Sequence, residues 1–481
     1  MTDRTTPPVA LRIGEAKLTE GTGGTHGHVS PVSGKVDATI PLAGAHEVDL
    51  AVTAAREAFA GWRRTPAPQR ARVLSRLADL VEENTAEFCR LGALDNGTPV
   101  SLVPVALAAD WIRYYAGYAD KPHSEMTGSF TDGGELSYSL AQPYGVVGAI
   151  ITWNAPLMSL SMKLPAALAA GNTVVVKPSE LTPFSSQLFA DLALQAGLPP
   201  GVLNVLPGCA DAGVALIDHP GVDKISFTGG GKTATAILQR CAETFKPVVL
   251  ELGGKSANIF LEDASLDMAC MMGTFSAVGI LSGQGCALPT RMLVHEAIYD
   301  DVLARVVGTA EGLVVGDPFA AETVSGPVVS AEAMERIIAV IRRAEADGAK
   351  LLTGGHQLRG EFPDGFFLAP TVFADVDPQS DLAQNEVFGP VLAVTKFSSD
   401  DEAIAIANGT RYGLSGYVQS ANLKRALMIA EELVTGEVLI NGALNANVRR
   451  PFGGIGASGY GKEGGRQGIE EFLRIKNIAV A

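Results

Sequence analysis

Two stretches hold residues of the kinds that do covalent or phosphate chemistry. The first is LSGQGCALPTR, Leu281 to Arg291, in which Cys286 follows Gly283 and Gly285. Glycines on the approach let the backbone turn tightly and leave a thiol beside free N–H groups. Such surroundings favour a lowered thiol pKa and a resting place for an oxyanion. The competing reading of a lone cysteine in an apolar chain is buried packing. The second stretch is ISFTGGGKTATAIL, Ile225 to Leu238. Read from Ser226, it is a nucleotide P-loop that lacks its first glycine, with Gly231, Lys232 and Thr233 as the GK[ST] end. Read from Gly229, it fits the dinucleotide fingerprint G-x-G-x-x-G/A through Gly231 and Ala234, and Glu251 follows about twenty residues later as a ribose ligand. The local string leaves both readings open.

These residues need a scaffold, and hydrophobic periodicity supplies one. The first third reads mostly helical, in EVDLAVTAAREAFAGWR, QRARVLSRLADLVEENTAEFCRL and the segment from Trp111 to Tyr118. From Tyr144 to Leu261 the apolar runs GVVGAIIT, NTVVVKP, GVLNVLP, VDKISFT and KPVVLEL alternate with helical segments. That alternation predicts a parallel sheet covered on both faces, because parallel neighbours need crossovers and helices provide them. A second alternating region begins near Ser265, with RMLVHEA, YDDVLARVVG, RIIAVIRRAEADG, AVTKFS and EAIAIAN, and predicts a second sheet with its own core. SFTDGGELSYSLAQP and IKNIAVA are strand-like but stand outside both patterns, and such strands look for partners elsewhere, another subunit included.

Composition narrows the function classes. A chain of 481 residues has room for two or three domains, and 47% hydrophobic with 19% charged residues marks a packed globular protein. A net charge of -15 without a basic run argues against nucleic acid and against an anionic membrane surface. Five cysteines without C-x-x-C spacing predict a reducing interior. The polar, proline-broken N-terminus has no apolar signal core and no run reads as a bilayer span, so a cytoplasmic address is expected. His26 and His28 lack a second ligand pair nearby and read as surface histidines of an N-terminal loop; no metal is expected.

Cys286 has company. ITWNAP, VVVKPSE, VLELGGKS, EVFGP and PFGGIGASGYGKE surround GQGC in a fixed order from Ile151 to Glu463. With these motifs the sequence resembles the aldehyde dehydrogenase superfamily along nearly its whole length. The resemblance implies an α/β fold: a Rossmann-like cofactor domain, residues 1–122 and 144–252; a second α/β catalytic domain, 253–465; and a small β oligomerisation arm, 123–143 and 466–481. It also implies a homodimer or homotetramer acting on a small-molecule aldehyde.

Roles follow residue by residue from the resemblance. Cys286 matches the nucleophile, which forms a thiohemiacetal and then a thioester. Asn154 matches the side-chain donor of the oxyanion hole, alongside the backbone N–H of Cys286; its other reading is a cap for the helix starting at Ala155 and Pro156. Glu251 matches the base that activates water for thioester hydrolysis, a task suited to a raised carboxyl pKa. Lys163 and Glu463 match a proton relay, with exposed charge on a helix face as the alternative. The family's phosphate loop is G-x-x-x-x-G after FTG. Here Gly229 takes the first glycine, Gly230 stands in place of a frequent serine and Ala234 in place of the second glycine, and Lys232 is either a pyrophosphate contact or a solvated lysine. The ribose ligands become Lys177 and Glu180 in place of Glu251, and a carboxylate at Glu180 would repel a 2′-phosphate, so NAD is favoured over NADP. Ile151, Thr152, Trp153, Ser179, Gly208, Phe227, Thr228, Leu252 and Gly253 complete the implied cofactor contacts. Glu386 and Phe388 are implied to hold the nicotinamide ribose and pack the ring, with turn residues before Pro390 as the alternative. Trp153 and Phe452 fall where the family lines its substrate tunnel, or are core packing.

Three other outcomes share these residues: a CoA-acylating semialdehyde dehydrogenase, against which Glu251 argues; a thiol esterase or acyl transferase using Cys286 and Asn154; and a binding protein that kept the fold without turnover. Aliphatic, aromatic and terpenoid aldehydes stay open, since ALPTR after Cys286 departs from the commoner small-residue pattern.

Overall fold

The computed structural model describes residues 3–121, 124–132, 134–442 and 446–480; the expected boundary at 122/123 falls outside them. The five apolar runs of the first alternating region are strands Val146–Ile150, Thr173–Lys177, Leu203–Val205, Lys224–Thr228 and Val248–Glu251. Across the sheet they stand in the order 203–205, 173–177, 146–150, 224–228, 248–251, every neighbour parallel. Val174, Val175 and Val176 have no exposed surface. Because successive strand residues face opposite sides, Val174 and Val176 join one core while Val175 joins the other. Each such valine contributes roughly 1.5 to 3 kcal/mol of apolar burial, which is why these strands read as continuous apolar runs. Helices Ala67–Glu83, Val105–Ala116 and Pro156–Ala169 supply the first core, and Ala45–Trp62, Ala210–Asp218 and Gly231–Thr244 the second.

The order of the parallel strands reverses between Val146–Ile150 and Lys224–Thr228. In an open α/β sheet, the carboxyl ends of the strands at such a switch point frame a ligand crevice. Antiparallel strands close both edges: Leu11–Ile13 with Ala16–Leu18 on one side, Gly459–Tyr460 on the other. The last of these brings the PFGGIGASGYGKE segment back against Leu250 and Glu251.

The second alternating region forms another sheet, in the order 350–353, 371–374, 391–397, 291–295, 257–260, 415–419, 437–440, parallel except at the first pair. The two strand-like segments outside both patterns find their partner in the same chain. Leu473–Val480 pairs antiparallel with Leu136–Pro143 from Leu473 opposite Pro143 to Val480 opposite Leu136, and Met126–Gly128 adds a third strand.

Four expectations need correction. QRARVLSRLADLVEENTAEFCRL is two helices, Ala67–Glu83 and Thr85–Asn96, because Asn84 leaves helical geometry and its amide donates to the Leu80 carbonyl at 2.8 Å. The mostly helical first third begins with strands, among them the hairpin Thr25–Val29 with Val36–Pro41. His28 is no surface loop residue: it is 1% exposed in that hairpin, 2.5 Å from the Asp37 carboxylate and edge-on to Phe184. Finally, Leu266–Gly283 is long and apolar enough to cross a membrane by length and composition, and half of it is buried in the fold.

Candidate active site

The crevice at the switch point is a groove of about 650 Å³. Ile151, Thr152 and Trp153 enter it after the first strand, Lys177 ends the second with Ser179 and Glu180 beyond it, and Phe227 and Thr228 end the fourth with Gly229 and Gly230 beyond them. Gly229 has no room for a side chain, since a Cβ would meet the Phe227 ring at 2.5 Å. Gly230 is extended and caps helix Gly231–Thr244 without a side-chain bond, and a Cβ at Gly230 or Gly231 would meet nothing within 4 Å. Free N–H groups therefore point from a helix start into open space, which fits a dinucleotide's pyrophosphate. Lys177 donates to the carbonyls of Pro178 at 2.9 Å and Gly208 at 2.6 Å, and burial lowers its pKa. Gly208 thus touches the groove through Lys177 and does not line it. Glu180 lines the groove and Glu251, the acid that simple spacing offered as a ribose ligand, does not. Lys232 lines the groove and is exposed.

Cys286 ends an unusual turn. Helix Leu266–Thr274 loosens into a π turn at Phe275–Gly279, and then Leu281, Ser282 and Gly283 take φ of 50°, 53° and 72°. Left-handed backbone at the two non-glycine residues costs of order 1–3 kcal/mol each. Ser282 offsets part of that cost by donating to the Gly326 carbonyl at 2.6 Å. Gly283 is obligatory, because a Cβ there would fall 2.1 Å from the Gly389 carbonyl oxygen. The residue surface of Cys286 is partly open, yet its thiol is pushed up to about 12 by burial and by the carboxylates of Glu386 and Glu251. The expectation of a lowered thiol pKa is therefore reversed in the resting protein. Backbone N–H groups of Cys286 and Ala287 do pull it down, but less than desolvation raises it.

Asn154 is not a helix cap, for the cap of Pro156–Ala169 is Ala155 and receives no side-chain bond. Its amide donates instead to the carbonyl of Gln284, two residues before Cys286, at 2.7 Å. Glu251 is 3% exposed, both its carboxylate oxygens lack a hydrogen-bond partner among the described residues, and a Cβ on Gly453 would come within 2.5 Å of one of them. Burial first, and then the Glu463 charge, hold its pKa well above the usual carboxylate range, with Lys163 and Lys462 opposing. Lys163 and Glu463 are buried at 1% and 5% exposure and paired with each other; Lys163 also donates to Ser226 Oγ at 3.1 Å. The alternative of exposed helix charge does not describe either residue.

Leu252, Gly253, Glu386 and Phe388 do not line the groove; Leu252 packs in the second core of the first sheet, and Gly253 abuts Glu386. Gly254 N–H donates to Glu386 Oε1 at 3.0 Å, and a Cβ on Gly254 would meet the Cys286 carbonyl oxygen at 2.5 Å. Burial pushes Glu386 up to about 7. Phe388, at φ 51°, sets its ring edge-on to Trp153 with centroids 5.3 Å apart. Trp153 therefore touches both the groove and the thiol side. Phe452 exchanges backbone bonds of 2.6 and 2.7 Å with Glu463. Motif reading missed Cys209, Val214, Ile237 and Arg240, which also line the groove; helical spacing across 233, 236, 237 and 240 was the available signal. Among the described residues no His, Cys, Asp and Glu cluster could hold a metal ion.

Comparison with known proteins shows the family and the fold. The profile described as "Aldehyde dehydrogenase family" matches residues 18–478. The chain belongs to the aldehyde dehydrogenase family. An aldehyde dehydrogenase of Emericella nidulans is 39% identical over 476 residues, covering 98% of this chain and 95% of that one. The NAD+ complex of an aldehyde dehydrogenase from Bacillus cereus superposes with a TM-score of 0.95 at 37% identity, covering 98% of this chain and 96% of the other. A mutant of aldehyde dehydrogenase C from Pseudomonas syringae, solved with NAD+ and octanal, gives 0.95 at 37% identity over 99% and 98%. The α/β class read from this aldehyde dehydrogenase's sequence is the one these neighbours share.

Proposed function

We propose that the protein oxidises an aldehyde to a carboxylic acid with NAD, through a thioester on Cys286 that water hydrolyses. Cys286 reacts as its thiolate: the sulfur adds to the carbonyl carbon as the carbonyl electron pair moves to oxygen. Asn154 and the backbone N–H of Cys286 receive that oxyanion. NAD, when bound, supplies the hydride acceptor that lets the adduct collapse to the thioester. Glu251 then takes a proton from water, the water oxygen attacks the thioester carbon, and the Cys286 sulfur leaves with release of the acid. Lys163 and Glu463 carry the proton away from Glu251.

One observation carries this reading: the Glu251 carboxylate is buried with no hydrogen-bond partner for either oxygen among the described residues, near enough to Cys286 to help push its thiol up. Such an arrangement is costly unless it serves chemistry. Glu180, Lys177 and the open start of helix Gly231–Thr244 would hold the adenosine ribose and the pyrophosphate; Glu386 and Phe388 would hold the nicotinamide end, and Trp153 and Phe452 would line the aldehyde's path. We further assign 1–122 with 144–252 to the cofactor unit, 253–465 to the catalytic unit, and the three-stranded sheet to contacts between subunits of a dimer or tetramer in the cytoplasm. A single-turnover mix with aldehyde and NAD should give one NADH per site and free acid, without acceleration by CoA. Aldehyde consumed without NADH, or acyl-CoA formed when CoA is present, would contradict the proposal.

A further inference from the structure

The tripeptide Asp95-Asn96-Gly97, which no motif singled out, touches three parts of the site. Asp95 is 1% exposed and its carboxylate accepts from Phe184 N–H at 2.8 Å, Ser185 N–H at 2.9 Å and Ser185 Oγ at 2.7 Å, which fixes the helix that follows Ser179 and Glu180. Gly97, at φ 76°, packs against Gly326, where a Cβ would fall 1.9 Å from the Gly97 carbonyl oxygen. Gly326 in turn accepts from Ser282, in the strained turn before Cys286.

Asn96 lies between these two anchors and is 6% exposed. Its Nδ2 donates to the carbonyls of Trp153 at 3.0 Å and Asn154 at 2.8 Å. Its Oδ1 accepts from Thr98 N–H at 3.1 Å and Thr98 Oγ1 at 2.6 Å. The orientation of the amide is dictated by its neighbours, since two carbonyl oxygens can only accept and the Thr98 N–H can only donate. All four bonding positions of the group are thereby used.

The two carbonyls belong to the peptide planes on either side of the Asn154 Cα. Holding both planes fixes the backbone dihedrals of Asn154 and hence the direction in which its side chain leaves the backbone. We infer that Asn96 is a positioning residue for the oxyanion-binding amide: it clamps the Trp153–Asn154 turn so that Asn154 Nδ2 stays aimed at the carbonyl oxygen of a substrate on Cys286. This rests on the proposed role of Asn154. A preorganised donor loses most of its value when it is free to turn away, because reorienting it then adds to the barrier.

A double-mutant cycle tests the inference. Asn96→Ala should lower kcat for aldehyde oxidation about tenfold to a hundredfold, leave KM for NAD within about twofold, and lower Cys286-dependent hydrolysis of p-nitrophenyl acetate by a similar factor, since that reaction needs the oxyanion site without NAD. In an Asn154→Ala background the same substitution should cost less than about twofold, because the group it aims is gone. Thr98→Val, which removes one of the two bonds to Asn96 Oδ1, should show the same pattern at roughly threefold and gives the answer should Asn96→Ala fold poorly. Losses that multiply in the double variant, or a kcat unchanged in either single variant, would overturn the role of Asn96. Should Asn154→Ala alone leave kcat within about twofold, the oxyanion role of Asn154 fails, and the inference with it.

Discussion

The Asn154 amide donates to the Gln284 carbonyl at 2.7 Å, joining the turn after strand Val146–Ile150 to the loop of Cys286. One N–H of that amide is engaged by the bond, and the other is left for a substrate oxygen. Asn154→Ala should therefore lower kcat by about 10² to 10³ while NAD affinity, read by fluorescence titration, stays within about twofold. A loss expressed in NAD affinity would place Asn154 in the cofactor site instead.

Glu251 must be ionised to take a proton from water. Its pKa stands above the ordinary carboxylate value because burial disfavours the charge, so the carboxyl remains protonated further up the pH scale. The rate of acyl-enzyme hydrolysis should fall as pH drops through this raised pKa, and should fall at higher pH than for an exposed glutamate. Stopped-flow release of acid against pH measures it. In Glu251→Gln that limb should be absent, and an unchanged profile would assign the base elsewhere.

Glu180 lies in the groove with Lys177, Lys232 and Arg240. Three cations there would attract a 2′-phosphate once the carboxylate is removed. Glu180→Ala should shift the ratio of kcat/KM for NAD over NADP by about tenfold toward NADP. An unaltered ratio would remove Glu180 from cofactor choice.

Gly253 has its own test. A Cβ there would fall 2.2 Å from Glu386 Oε2, on a side chain held by Gly254 N–H. Gly253→Ala should displace Glu386 and raise KM for NAD by about tenfold, with Tm lowered by only a few degrees since the clash is with the end of a side chain. Normal NAD kinetics in this variant would separate Glu386 from the cofactor.

What the sequence revealed follows from physical range. The five parallel strands were legible because both faces are buried and nearly every residue is apolar, as in TVVVK at 173–177. The hairpin THGHV was not, since its partner, at 36–41, and the burial of His28 under Phe184 are tertiary facts. The break at Asn84 was hidden because helical periodicity continues on both sides of it. At the site, Cys286, Glu251 and Asn154 stood out by motif, yet the sign of the thiol's pKa shift depends first on burial, a tertiary fact, and then on carboxylates 100 residues ahead, at Glu386, and 35 behind, at Glu251. Asn96 has no motif of its own and acts through hydrogen bonds to residues 57 and 58 positions away.

The central claim, that the acyl group is carried by Cys286 and released by Glu251, is tested most directly by intact-protein and peptide mass spectrometry of Glu251→Gln mixed with aldehyde and NAD. The expected result is a mass increment equal to the acyl group, located on Cys286 and absent in a Cys286→Ala, Glu251→Gln double variant. NADH formation without any such adduct, or an adduct on another residue, would contradict it.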